Sequence, residues 1–186
     1  VLNEGLQSLG LNWLSRTGER FQGVFENSGL EEVRFPARLG TVAYRAFRGC
    51  ARLRSVALPS GLTEISAECF QDSGIEKVQI PGTVRTIEAC AFLRCGGLRA
   101  VDLPDSLEVI ERGAFAQCGL ERVEIPRGVT EIGVRAFEGC AGLAEVKLAG
   151  GSALRRLGKD AFAGAPCAEV LLPAGAEALS DGEGRE

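Results

Sequence analysis

The chain has 186 residues, 45% of them hydrophobic, with 25 Asp and Glu against 21 Lys and Arg and a net charge of −4. That is enough apolar side chain for a folded core, and the slight acidity excludes a broadly electrostatic nucleic-acid binder. The chain contains no His, which excludes Ser-His-Asp and Cys-His catalysis, His-ligated metals and a histidine pH switch. No apolar run reaches the 18 residues that would suggest a membrane-spanning helix.

From the N-terminus, residues 1–29 read as a degraded first repeat. Leu6, Leu9 and Leu11 imitate a strand pattern, and Trp13, the single Trp, is expected to pack over the open end of the fold. Arg16 to Phe21 lacks the spacing that follows every later strand. Residues 30–176 then repeat regularly. Phe recurs at 25, 47, 70, 92, 115, 137 and 162, in steps of 22 to 25. A small residue usually precedes it: Ala46, Cys69, Ala91, Ala114, Ala136, Ala161. A second element, L-x-x-V-x-[LIF]-P, runs from Leu30-Val33-Phe35-Pro36 through Leu98-Val101-Leu103-Pro104 to Leu120-Val123-Ile125-Pro126. Ala149 replaces the Pro in the copy at Leu143, and Cys167-Val170-Leu172-Pro173 is the last. A third element pairs Leu39/Val42, Leu62/Ile65, Val84/Ile87, Leu107/Ile110, Val129/Ile132 and Leu154/Leu157. Residues 177–186, rich in Gly, Glu and Asp, read as a flexible tail.

This pattern resembles the BspA-like leucine-rich-repeat family, carried by "RAFRGC" at 45–50, "AFLRC" at 91–95, "AFAQC" at 114–118 and "RAFEGC" at 135–140. The resemblance covers Leu6 to Pro173 and implies a curved, right-handed α/β solenoid of seven to eight coils. In it, parallel strands alternate with turns and short helical segments. Two departures stand out: the irregular first repeat, and the Gly150–Ser152 insertion in the last full coil.

The residues give the same architecture independently. A unit of 22 to 23 residues cannot bury its own apolar side and must stack on its neighbours. Alternating Val and Leu then point inward on a strand, and the Pro follows where a missing N–H breaks no ladder bond. Successive Phe residues should form an aromatic spine. Eight strand copies give a stack on the order of 35–40 Å long. The A-F segments are expected as turns or single helical turns, and the third element as short second strands. The Phe-to-Pro distance alternates between 11 and 12 residues, and the residue beside the strand alternates in charge: Glu31, Arg54, Glu76, Arg99, Glu121. Stacked neighbours of opposite sign predict a self-satisfied surface ladder.

Cys50, Cys95, Cys118 and Cys140 each stand three residues after the Phe, so they should stack as buried thiols rather than converge on a metal. Glu and Asp are spread over every coil and no carboxylate pair stands out, and no nucleotide or EF-hand motif occurs. Neither a catalytic residue nor a cofactor is expected. Strand alternation places Glu32, Ser55, Lys77, Ala100, Arg122, Glu145 and Glu169 in one outward column. The parallel column holds Arg34, Ala57, Gln79, Asp102, Glu124, Lys147 and Leu171. Arg34, Lys77, Gln79, Asp102, Arg122, Glu124, Glu145 and Lys147 are therefore the candidate binding face, of the kind repeat proteins use for partners.

The expected function is a non-catalytic protein-binding module, with a protein partner and no nucleic acid or membrane insertion. The chain starts at Val1 and contains no Met, so it reads as a fragment of a larger protein. The alternatives are a recognition or spacer segment of a larger enzyme, or the secreted or surface adhesion ectodomain that the resemblance implies. Seven Cys, no N-x-Ser/Thr sequon and no visible signal peptide favour an intracellular setting; a signal lying upstream would instead indicate the surface.

Overall fold

Residues 23–36, 39–167 and 170–179 are described in a computed structural model of the chain. The Leu6–Leu11 copy, Trp13, the Arg16–Phe21 stretch and Glu169 lie outside the described residues. In the regular repeats a Phe, its small predecessor, two strand apolar residues and the Leu/Ile pair of the third element face inward. Phe47, Phe70, Phe92, Phe115 and Phe137 are fully buried among Leu53, Ile75, Leu98, Ile87 and Leu107. The seven repeat Phe rings form one file, with successive centroids 5.2–5.5 Å apart and planes within 16° of parallel. That is offset stacking, the favoured parallel geometry of aromatic rings. Ala91, Ala114 and Ala136, wholly buried beside the rings, leave the room the file needs.

Among the described residues ten short strands follow one another: β1 (Ser55–Ala57), β2 (Glu64–Ile65), β3 (Lys77–Gln79), β4 (Thr86–Ile87), β5 (Val109–Ile110), β6 (Arg122–Ile125), β7 (Glu131–Ile132), β8 (Glu145–Leu148), β9 (Arg156–Gly158) and β10 (Glu177–Leu179). All pairs are parallel and in repeat register, such as Val56 with Val78 and Ile87 with Ile110. The third element forms a continuous six-stranded sheet, in the order β2-β4-β5-β7-β9-β10. The first strand column, expected as one stack of eight copies, is instead two separate pairs, β1-β3 and β6-β8, the first extended by a bridge between Glu32 and Ser55. The interruption is the coil Leu98–Pro104, which carries Ala100 and Asp102, both depleted in strands.

The expected short helical segments are not present: among the described residues the A-F segments are turns and no helix forms. The reason is a left-handed backbone on both sides of each ring. Two residues before the Phe, φ is positive at Gly23, Arg45, Glu68, Cys90, Gly113, Arg135 and Asp160. Two residues after it, φ is positive at Asn27, Gly49, Asp72, Arg94, Gln117, Gly139 and Gly164. Amides therefore alternate in direction. Those of Arg45, Phe47 and Gly49 donate to Ala67, Cys69 and Gln71 in the next coil, while those of Ala46, Arg48 and Cys50 close turns onto Ala43, Arg45 and Phe47. A helix needs every amide aimed back along its own segment.

The alternating coil length is absorbed just after these turns. Long coils carry Ala51-Arg52 or Gly96-Gly97 before the strand Leu, whereas the following short coils have only Gly74 or Gly119. A Cβ on Gly74 would stand 2.1 Å from the Ala51 carbonyl oxygen, and one on Gly119 2.3 Å from that of Gly96. Farther on, the amide three residues after each Pro bonds that Pro's carbonyl at 3.0–3.2 Å, from Leu39 to Ala176. The coil with Ala149 differs: two extra residues intervene, and the Leu154 amide goes to Ser152 Oγ at 3.3 Å.

The boundary of the expected tail also shifts. Glu177–Leu179 pairs in parallel with β9 as β10. Ala176 and Leu179 stand three and six residues after Pro173, the spacing of Leu107 and Ile110 after Pro104. The charged composition of the segment hides a last copy of the third element.

Candidate functional site

The outward strand columns are carried by β1, β3, β6 and β8 and by the coils aligned with them. Arg34, Lys77, Gln79, Asp102, Arg122, Glu124, Glu145 and Lys147 are all exposed, each next to an inward-facing apolar residue of its own coil. Register brings Arg122 opposite Glu145 and Glu124 opposite Lys147, a square of alternating sign. Ser55 lies opposite Lys77, and Ala57 opposite Gln79.

The ends of this face are internally paired. Arg34 donates to Glu32 at 2.7 Å, and Lys147 pairs with Glu145 at 2.9 Å. Those hydrogen bonds hold the Glu32 and Glu145 carboxyls below their ordinary range. In between, Lys77, Asp102, Arg122 and Glu124 take part in no salt bridge among the described residues. The structure thus divides the eight expected residues into a charged, unbridged centre and bridged margins.

Beside this face the expected charge ladder closes as discrete rungs. Arg54 meets Glu76 at 3.0 Å and Arg99 meets Glu121 at 2.9 Å. Glu31 pairs with Arg52, a residue of the long-coil insertion, rather than with Arg54. All of these side chains are about half exposed or more, so each pair contributes little.

The cysteines stack as expected, with a role their spacing did not reveal. All seven are free thiols; Cys50, Cys69, Cys95, Cys118 and Cys140 are buried. The thiols of Cys50, Cys95, Cys118 and Cys140 donate to the backbone carbonyls of Phe25, Phe70, Phe92 and Phe115 at 3.0–3.1 Å. Each thiol therefore ties its coil to the preceding ring-bearing turn. Burial pushes Cys140 up to about 11 and Cys69 higher still, while a hydrogen bond with Cys95, then burial, raise Cys118. Such thiols are poor nucleophiles.

A charged group on the turn side escaped the sequence pattern. Glu68 accepts from Tyr44 Oη at 2.7 Å and from Arg45 Nε at 2.8 Å, and Arg48 lies 3.3 Å away. The Arg45 guanidinium stands 4.6 Å over the Tyr44 ring. Burial opposes ionisation of Glu68, but the hydrogen bonds from Arg45 and Tyr44 hold its carboxyl below the usual range. Next to it, Asp72 is lowered by its hydrogen bond from Arg94, 2.7 Å away through Nη2. The signal was available only in the fold, because Tyr44 and Glu68 meet across 24 residues of sequence.

Among the described residues, no three His, Cys, Asp or Glu side chains gather as a metal site, and no helix is long and apolar enough to cross a membrane.

Comparison with known proteins agrees with this architecture. A leucine-rich repeat protein from Treponema pallidum is 37% identical, covering 68% of this chain and 59% of that one, with a TM-score of 0.64. One from Bacteroides ovatus is 29% identical over 67% of this chain and 38% of its own, with a TM-score of 0.59. The pneumococcal vaccine antigen PcpA, at 22% identity and a TM-score of 0.55, shares the fold over 60% of this chain and 32% of its own. The chain thus spans between about a third and three fifths of the length of these proteins. No curated protein matches it. The family described as BspA type leucine rich repeat region matches over residues 21–144 and 64–182, in six copies. With the A-F-x-x-C turns, the ring file and the parallel strand columns, that match makes the chain a member of the BspA-type leucine-rich-repeat family.

Proposed function

We propose that the chain is a non-catalytic protein-binding module, and that the centre of its strand face is where a protein partner docks. The observation that carries the reading is the unbridged centre itself. Lys77, Gln79, Asp102, Arg122 and Glu124 stand exposed on adjacent coils, while the charges at the margins are paired with one another. Repeat stacks present such continuous faces to partners. Unpaired charges of both signs suit a partner of matching mixed charge and set register more than bulk affinity. The non-catalytic reading is supported by the lack of His and by the burial of five of the seven thiols.

The test is affinity capture with three proteins, compared by quantitative mass spectrometry. These are the wild type, a Lys77→Glu/Asp102→Arg/Arg122→Glu variant, and an Arg85→Glu/Glu108→Arg control that exchanges an exposed pair beside the second strands. A recovered partner should bind the wild type and the control alike and the triple variant about tenfold or more weakly. Partners that bind all three equally would place recognition elsewhere and overturn the reading.

A further inference from the structure

The one insertion in the regular stack opens a hollow. Two residues beyond the usual spacing separate Ala149 from Leu154, and Gly151 bends the loop with φ 73. The proline turn that closes this corner in the other coils is absent here, and Ser152 Oγ accepts the Leu154 amide in its place. Just past the loop, the Glu177 amide of the last coil donates to the Arg155 carbonyl at 2.7 Å. Between the loop and the last coil lies a concavity of about 540 Å³, lined by Ser152–Arg156 on one side and by Pro173, Ala174, Gly175 and Glu177 on the other.

The chemistry of this hollow is cationic on the insertion side. Arg155 lines it and forms no ion pair among the described residues, while the neighbouring Arg156 reaches Glu131 at 3.1 Å. Because Ser152 Oγ is an acceptor toward Leu154, its own O–H remains a donor. The Ala174 and Gly175 amides are donors to no backbone acceptor among the described residues. The opposing charge is Glu177, on the far wall. A guanidinium, a hydroxyl and backbone amides around one concavity match the acceptors of an oxyanion.

We propose that this insertion hollow is a binding site for a small oxyanion-bearing ligand, a carboxylate or a phosphate, held by Arg155 with Ser152 and opposed by Glu177. The site is separate from the strand face and does not depend on the protein-binding reading. In the other coils the proline turn closes this corner, through a bond from the amide three residues on to the Pro carbonyl.

The test is an amide-resolved NMR titration of the whole chain with two probes, N-acetylglutamate for a carboxylate and O-phosphoserine for a phosphate. Saturable shifts confined to residues 152–156 and 173–177 are expected. Arg155→Ala should weaken binding about tenfold, and Glu177→Gln should tighten it, with both variants keeping the wild-type spectrum elsewhere. A response to only one probe identifies the ligand chemistry. Shifts that fail to saturate, that appear equally at Arg34, Arg122 and Lys147, or that survive Arg155→Ala unchanged would overturn the proposal.

Discussion

Gln117 holds a left-handed backbone at φ 56, a conformation that glycine supplies at the equivalent Gly49, Gly139 and Gly164. Its side chain is exposed, and L-residues hold this region at a cost of about 1–2 kcal/mol, partly offset by the greater chain freedom glycine loses. Gln117→Gly should therefore raise stability by about 1 kcal/mol and the melting temperature by about 2–4 °C, measured by calorimetry. The reverse change at Gly49 should cost about 1 kcal/mol in backbone strain, since the atom a Cβ would meet at 2.1 Å, Asn27 Oδ1, ends a side chain that can swing away. The thiols make a second prediction. Only Cys90 and Cys167, which are half-buried, should react with a thiol reagent in the native protein, and the five buried ones only after denaturation. Cys140 is raised by burial from 9.0 to about 11. A raised value means the folded state keeps its proton longer, so this stabilisation is whole below pH 9 and lost as pH climbs through about 11. A Cys140→Ser variant, whose hydroxyl can still donate to the Phe115 carbonyl, should lose less stability across that window than the wild type.

At the scale of the element, the repeat made most of the fold readable. Phe at a fixed period, Val and Leu in alternation, and Pro at the strand end each report side-chain direction, and stacking preserves direction from coil to coil. Backbone sign was not readable: Arg45, Glu68, Cys90 and Gln117 hold positive φ with no glycine to announce it. The A-F turn therefore resembled a helical turn. The outward placement of the candidate face followed from alternation alone. Its division into bridged ends and unbridged centre did not, because Lys147 pairs within its own strand whereas Arg54 pairs across coils. The length alternation was visible as a count, but its mechanism, a short-coil Gly beneath a long-coil carbonyl, is a contact between coils that spacing does not report. Gly119→Ala tests it: with 2.3 Å to the Gly96 oxygen and backbone on both sides, the coils must separate, and a loss of about 1–3 kcal/mol should appear in urea unfolding. Reversing the surface rungs together, Arg54→Glu and Arg99→Glu, should lower the melting temperature by only about 1–3 °C, since both pairs lie largely in solvent.

Across the whole molecule, energy is shared between neighbouring coils, and three ladders carry it: the ring file, the turn amides and the second-strand sheet. The first strand column contributes unevenly, because it is broken at Leu98–Pro104. Across that interruption the halves are coupled by the β4-β5 pair, the turn amides and the ring file, and Phe92 belongs to the last two. Its ring lies 5.4 Å from Phe70 and 5.2 Å from Phe115, and its amide donates to Ala114. Removing that ring should cost about 3–5 kcal/mol, and its position makes the consequence distinctive. In a one-dimensional stack a central defect weakens two interfaces at once and lets the segments on either side open separately. Phe92→Ala should then show two unfolding steps in urea. Hydrogen exchange should accelerate from Phe70 through Phe115 while the β6-β8 pair keeps its own protection. Phe162→Ala removes the last ring, stacked on Phe137 alone, so exchange should rise only from about residue 150 onward, with β1 and β3 unchanged. Equal loss of protection in every coil for both variants would mean that the stack unfolds as one cooperative core, and that the interruption at Leu98–Pro104 is energetically silent.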